Sequence, residues 1–222
     1  ARLSELYNTG RYEEAIPIAN QLLEFGKKLN GLEGESVGLA WLGMFYSALA
    51  RHDEAAKAFR KQLQNEKKTF HPEHIRVAAT MVNLASVYSD TGKYNEAEPL
   101  LHRALLIQEK VHGKAHQDVA STLLNLAHLY VQQARYVEAE PLFQRTLAIR
   151  EKVLGPEHPG VALTLGGLGT LYSYLGRYEE ALSLFNRSLT INEKSLGTTH
   201  PRVATAASNL AGIYADLGRY SE

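Results

Sequence analysis

Apolar residues in this chain recur with the period of a helix. Met81, Leu84, Ala85 and Tyr88 stand at i, i+3, i+4 and i+7, and Ala97, Leu101, Ala104 and Leu105 follow the same rule. Gly92-Lys93-Tyr94 separates the two runs, so the pattern predicts two amphipathic helices joined by a tight turn. The pair then repeats. "TGKYNEAEPLLHRALLIQEK" begins at Thr91, "QARYVEAEPLFQRTLAIREK" at Gln133 and "LGRYEEALSLFNRSLTINEK" at Leu175, each 42 residues after the last. An earlier copy begins at Leu49, a shorter-spaced one at Thr9, and a last one starts at Leu217. The preceding helix repeats as well, from Val77, Val119, Val161 and Val203. Gly31, Gly113, Gly155 and Gly197 fall where each second helix should end, as left-handed caps. Pro159 and Pro201 fall where the next first helix should begin.

This periodicity implies an all-α chain of about five helix–turn–helix units. One repeat domain should cover residues 1–222. A partial unit at 1–34 precedes units near 35–76, 77–118, 119–160 and 161–202, and a partial unit at 203–222 follows. No unit can bury its apolar face alone, so neighbours must stack into one continuous core.

The unit resembles the tetratricopeptide repeat. The family's Leu-Gly-x-x-Tyr is matched by Leu42-Gly43/Tyr46, Leu84-Ala85/Tyr88, Leu126-Ala127/Tyr130, Leu168-Gly169/Tyr172 and Leu210-Ala211/Tyr214. Its later Ala and Phe are matched by Ala55/Phe59, Ala97/Leu101, Ala139/Phe143 and Ala181/Phe185. The unit is longer than the usual 34 residues. The proline that normally ends the second helix is replaced by Glu109, Glu151 and Glu193, so that helix should run on. The length and phrases such as "LGPEHPGVA" are similar to the kinesin-light-chain type of repeat. The resemblance implies a right-handed superhelical solenoid with a concave groove lined by first helices. It also implies a protein- or peptide-binding scaffold with no catalytic role. The alternative implied is a regulatory or sensor domain of a larger signalling enzyme, for example one fused to a caspase-like or nucleotide-switch domain. Terminal units that lack polar caps would favour end-to-end self-association.

Composition narrows the partners. Lys plus Arg and Asp plus Glu are both 24, so the net charge is zero, which argues against nucleic acid. There is no cysteine, which removes disulfides and thiolate chemistry and suits a cytoplasmic chain. The uncharged apolar run at 37–50 is shorter than the roughly 20 residues a membrane span needs.

Candidate chemistry is sparse. His74, His116, His158 and His200 are 42 apart and would sit on the order of 15–20 Å from one another, at 8–10 Å per helix step. They cannot share an ion, so no metal is expected, and a helix-start hydrogen bond is the better reading. Arg11, Arg51, Lys93, Arg135, Arg177 and Arg219 follow the turn, and Lys28, Lys68, Lys110, Lys152 and Lys194 lie near second-helix ends. Interleaved Glu96, Glu98, Glu138 and Glu140 make a solvated face likelier than a phosphate track. No catalytic motif is present. "LGGLG" at 165–169 lacks the lysine of a phosphate loop and any preceding strand, so it reads as helix, and no cofactor is expected.

The stripe beside each first helix's buried face should carry binding. It reads Ala79, Asn83, Ser86, Asp90 in one unit, Ser121, Asn125, His128, Gln132 in the next, and Thr205, Asn209, Gly212, Asp216 in the last. Asn83, Asn125 and Asn209 form a ladder of amides, each a donor and an acceptor, suited to the backbone of an extended peptide. They could instead bond between helices. In the family, this asparagine does contact peptide backbone. Ala40, Val82 and Leu124 stand where chaperone-binding relatives have a lysine, which disfavours a chaperone tail as ligand. The first unit's stripe is apolar, with Trp41 and Met44 as an anchor for a ligand side chain, or with Trp41 packed on the preceding unit. Gly166 and Gly167 interrupt the ladder. They leave either a dent, edged by Thr170 and Tyr174, or a neutral lapse in a redundant array, and Gly167→Asn would restore the missing amide.

Overall fold

The computed structural model describes residues 2–218 and contains ten α-helices, with no strand among the described residues. Arg219 and the rest of the last copy lie outside them. The helices are α1 (Arg2–Asn8), α2 (Tyr12–Ala48), α3 (His52–Thr69), α4 (Ile75–Asp90), α5 (Tyr94–His112), α6 (Gln117–Gln132), α7 (Tyr136–Leu154), α8 (Pro159–Tyr174), α9 (Tyr178–Leu196) and α10 (Pro201–Asp216). Their contacts fall into two compact units, residues 1–111 and 112–222.

Inside each unit, consecutive helices pack in pairs. In the first, Phe59 and Leu63 of α3, Met81 and Leu84 of α4, and Ala104 and Ile107 of α5 share one core. In the second, Val161 and Leu165 of α8 pack with Ile191 of α9. The residues at i, i+3 and i+4 are the buried ones, so the helical period is what assembles the array. Second helices α5, α7 and α9 have 19 residues against 16 for α4, α6, α8 and α10, so they do run on where the family's proline is absent.

Two local features correct the sequence expectations. Gly155 and Gly197 do cap their helices, but at φ/ψ of 88°/153° and 82°/156°. That is the extended positive-φ region, open essentially to glycine alone, rather than the left-handed helical one. Left-handed residues occur instead at the turn inside each pair, where Ala50 and Ala134 take φ of 56° and 57°. The second feature is α2, which is two limbs. Asn30 and Gly31 leave helical geometry (Gly31 φ 55°, ψ −129°), and the limbs fold against each other. Gly26 and Gly34 meet backbone to backbone there, and a Cβ on either would collide with the other's carbonyl.

Candidate functional site

The histidine ladder is structural. His74, His116, His158 and His200 are the N-caps of α4, α6, α8 and α10, and each Nδ1 accepts the backbone N–H two residues on at 2.9–3.2 Å. A side chain that accepts this N–H satisfies a donor the helix leaves open. Sequence reading passed over one neighbour of the ladder. His112 Nε2 and His116 Nδ1 each lie 3.5 Å from Asp118 Oδ2. The two imidazoles stack at 4.2 Å and 22°, and His116 Nδ1 is already the cap acceptor. Near-parallel rings do not aim their in-plane lone pairs at one point, so this trio is a capping cluster.

The turn arginines are occupied as well. Arg11, Arg51, Arg135 and Arg177 pair with Glu14, Glu54, Glu138 and Glu180, each three residues on. Arg51, Arg135 and Arg177 also lie over the rings of Tyr46, Tyr130 and Tyr172, the last at 3.8 Å. Hydrogen bonds that Arg177 donates to Glu180 and Glu140 hold its guanidinium above its usual pKa. Each of these cations is thus paired with a carboxylate in the first turn of its own helix.

The first-helix stripe is where polar groups stand unused. Burying Met81, Leu84 and Ala85 leaves Ala79, Asn83, Ser86 and Asp90 of α4 exposed. On α6 the same geometry leaves Asn125 half-buried and His128 and Gln132 exposed, and on α10 it leaves Asn209 half-buried. None of the amides of Asn83, Asn125 and Asn209 makes a hydrogen bond among the described residues. The alternative in which they tie helices together is therefore not what the structure has.

In the first unit, Asn83 stands between two hollows. One, of about 380 Å³, is lined by Met44, Ser47 and Phe59; the other, of about 260 Å³, by Trp41, Gln62 and Thr80. Trp41 has the packing expected of it and also borders the second hollow. It stacks on Phe45 at 5.6 Å beside the core of α1 and α2, and it keeps one edge on the hollow.

In the second unit, the expected dent is a pocket of about 220 Å³ between α8 and α10, closed on one side by His128. Gly166, Gly167 and Thr170 line it, opposite Thr205 and Asn209. Tyr174 does not; it stacks on Tyr136 at 5.6 Å. The two glycines also differ. A Cβ on Gly166 would meet only Ser188 Oγ, at 3.9 Å, whereas one on Gly167 would meet Phe143 Cε1 at 2.5 Å. Phe143 is fully buried and packs edge-on against His128 at 5.2 Å. Gly167→Asn therefore cannot restore the ladder, because a core ring fills the space its Cβ needs. Packing around His128 pushes its pKa down, and the nearby Arg150 charge adds to the shift.

The chain belongs to the tetratricopeptide repeat family, whose model matches residues 35–110, 76–152, 118–194 and 174–222. It is also similar in fold to several solved structures. BtubC (BKLC) from P. vanneervenii superposes with a TM-score of 0.81 at 20% identity, covering 95% of this chain and 85% of that one. A Podosopora anserina putative kinesin light chain with nearly identical TPR-like repeats gives 0.72 at 25% identity, covering 87% and 92%. A Rap protein complexed with Competence and Sporulation Factor gives 0.77 at 18% identity, covering 93% of this chain and 55% of that one. No curated protein sequence matches the chain. Among the described residues no helix is long and apolar enough to cross a membrane.

Proposed function

We propose that this array is a non-catalytic binding module for an extended peptide segment of a partner protein, acting in the cytoplasm. The observation that carries the reading is the set of amides at Asn83, Asn125 and Asn209. They share one position in the repeat, face away from the core and have no protein partner among the described residues. An amide in that state offers one donor and one acceptor, which is what an extended backbone presents in return. The hollows beside Asn83 and the pocket beside Asn209 would each take a peptide side chain, which would add sequence preference to backbone holding. The Rap protein of similar fold is complexed with Competence and Sporulation Factor, which supports a binding role here. The occupied arginines and zero net charge fit a peptide better than a polyanion. The test is Asn83→Ala/Asn125→Ala/Asn209→Ala, checked for helicity by circular dichroism, against a phage-displayed library of unstructured peptides. Selected peptides should bind the triple variant at least ten-fold more weakly. Equal binding by a folded variant would sink the proposal.

A further inference from the structure

The pocket between α8 and α10 lies where several departures from the repeat coincide. Second helices carry one buried polar side chain at a fixed place, namely Glu66, Gln108, Arg150 and Asn192. The facing first-helix position is Thr80, Thr122, Thr164 and then Ala206. Thr80 donates to Glu66 at 2.7 Å, and Arg150 donates to Thr164 Oγ1 at 3.0 Å. Asn192 faces an alanine instead. Its side chain is only 4% exposed, its Oδ1 has no hydrogen-bond partner, and it lines the pocket. The missing hydroxyl is thus the group a ligand would bring.

We infer that this pocket is a subsite for a tyrosine side chain of the bound peptide. Its wall is apolar where Ala162, Leu163 and Ala206 line it, which suits a ring. Gly166 leaves the space beside the ring open. At depth, the Asn192 amide needs a partner, and a hydroxyl both donates and accepts, so it matches either end of the amide. Phenylalanine offers nothing to the orphan acceptor, and an indole N–H could serve that acceptor but not the donor end of the amide. Among the described residues no carboxylate lines the pocket, while Arg202 lines it and Arg150 lies near His128, so a cationic side chain is disfavoured. The ring chemistry follows from the pocket alone, and only its source, a peptide, rests on the function proposed above.

The probes are p-cresol and toluene, the side chains of tyrosine and phenylalanine, titrated into the full chain and followed by amide NMR. The signals of Gly166, Gly167 and the Asn192 side chain should shift with p-cresol, and toluene should bind at least ten-fold more weakly. Ala206→Thr should supply the internal hydroxyl found in the other units, weaken p-cresol at least ten-fold and raise Tm. If that variant does not fold, Gly166→Leu, the residue held by Leu124 one unit earlier, should block the pocket without touching Asn192. Toluene binding as tightly as p-cresol, or p-cresol binding that survives whichever variant folds, overturns the subsite. So does the absence of p-cresol binding to the parent chain. If p-cresol binds as expected but the asparagine triple variant keeps all peptide binding, the ring chemistry stands and its peptide source falls.

Discussion

Glu66 in the first unit and Asn192 in the second occupy the same place in the repeat and have opposite fates. Glu66 is sealed from solvent and accepts from Gln62 at 3.0 Å and from Thr80 at 2.7 Å, with Arg76 Nε at 3.8 Å. Asn192 is as deeply buried and, like Glu66, lines a hollow, but its acceptor is unmet. A buried polar group without a partner costs about 1–3 kcal/mol, which a single compact core rarely leaves standing. In an array whose units contact only their neighbours, one junction can carry that cost without the whole fold failing. The difference teaches that the departures from the repeat, rather than the repeat itself, mark where a ligand group can enter.

The sharpest way to break the comparison is to make the first unit resemble the second. Thr80→Val keeps the shape and removes the hydroxyl that donates to Glu66. The loss should be roughly 1–3 kcal/mol and near the upper end, because the abandoned acceptor is a carboxylate. Urea unfolding monitored by circular dichroism measures it, and an unchanged midpoint would contradict the account of Glu66.

Next in size are the paired glycines, which should respond with opposite signs although they are adjacent. Gly167→Ala drives a Cβ into the buried Phe143 ring and should cost about 1–3 kcal/mol from overpacking. Gly166→Ala meets nothing closer than Ser188 Oγ and should gain up to about 1 kcal/mol of helix propensity. Matched thermal melts of the two variants decide it. Two shifts of the same sign would mean that the Phe143 contact does not control the site.

The period of the chain made the helices, the repeat boundaries, the capping histidines and the asparagine stripe readable, because each follows from spacing alone. Spacing could also align Ala206 with Thr80 and Thr164, yet nothing in a sequence says that Thr80 reaches Glu66 across two helices. The difference between Gly166 and Gly167 is likewise a matter of which neighbour's ring points where. The hairpin inside α2 was half legible. Gly31 marked the break, but the contact of Gly26 with Gly34 depends on how two limbs fold together. Tyr174 was misplaced for the same reason, since its partner Tyr136 is 38 positions away and outside the pocket.

A smaller effect tests the caps. His158→Ala removes the side chain that accepts the Gly160 N–H and should cost about 1 kcal/mol, while His158→Asp should recover most of it because a carboxylate caps as well. Thermal melts at neutral pH measure both. A variant with Asp as unstable as the one with Ala would show that imidazole packing, and not capping, is what position 158 supplies.

The smallest expected effect separates the two stripes by pH. His128 has Ser86 as its counterpart 42 residues earlier, so only the second unit carries a titrating group at this position. His128 keeps solvent-exposed surface, yet desolvation by the protein packed around it, with help from the Arg150 charge, lowers its folded-state pKa. The unfolded chain then binds the proton more readily than the folded one. Stability is therefore full above the ordinary histidine value of about 6.5 and declines as pH falls through it toward the folded value. His128→Gln, which does not titrate, should lose less stability than the parent chain between pH 8 and pH 5, as read from urea midpoints. Parallel slopes for the two proteins would show that His128 takes up its proton as freely in the folded chain as in the unfolded one, and that the wall it forms with Phe143 is open to water.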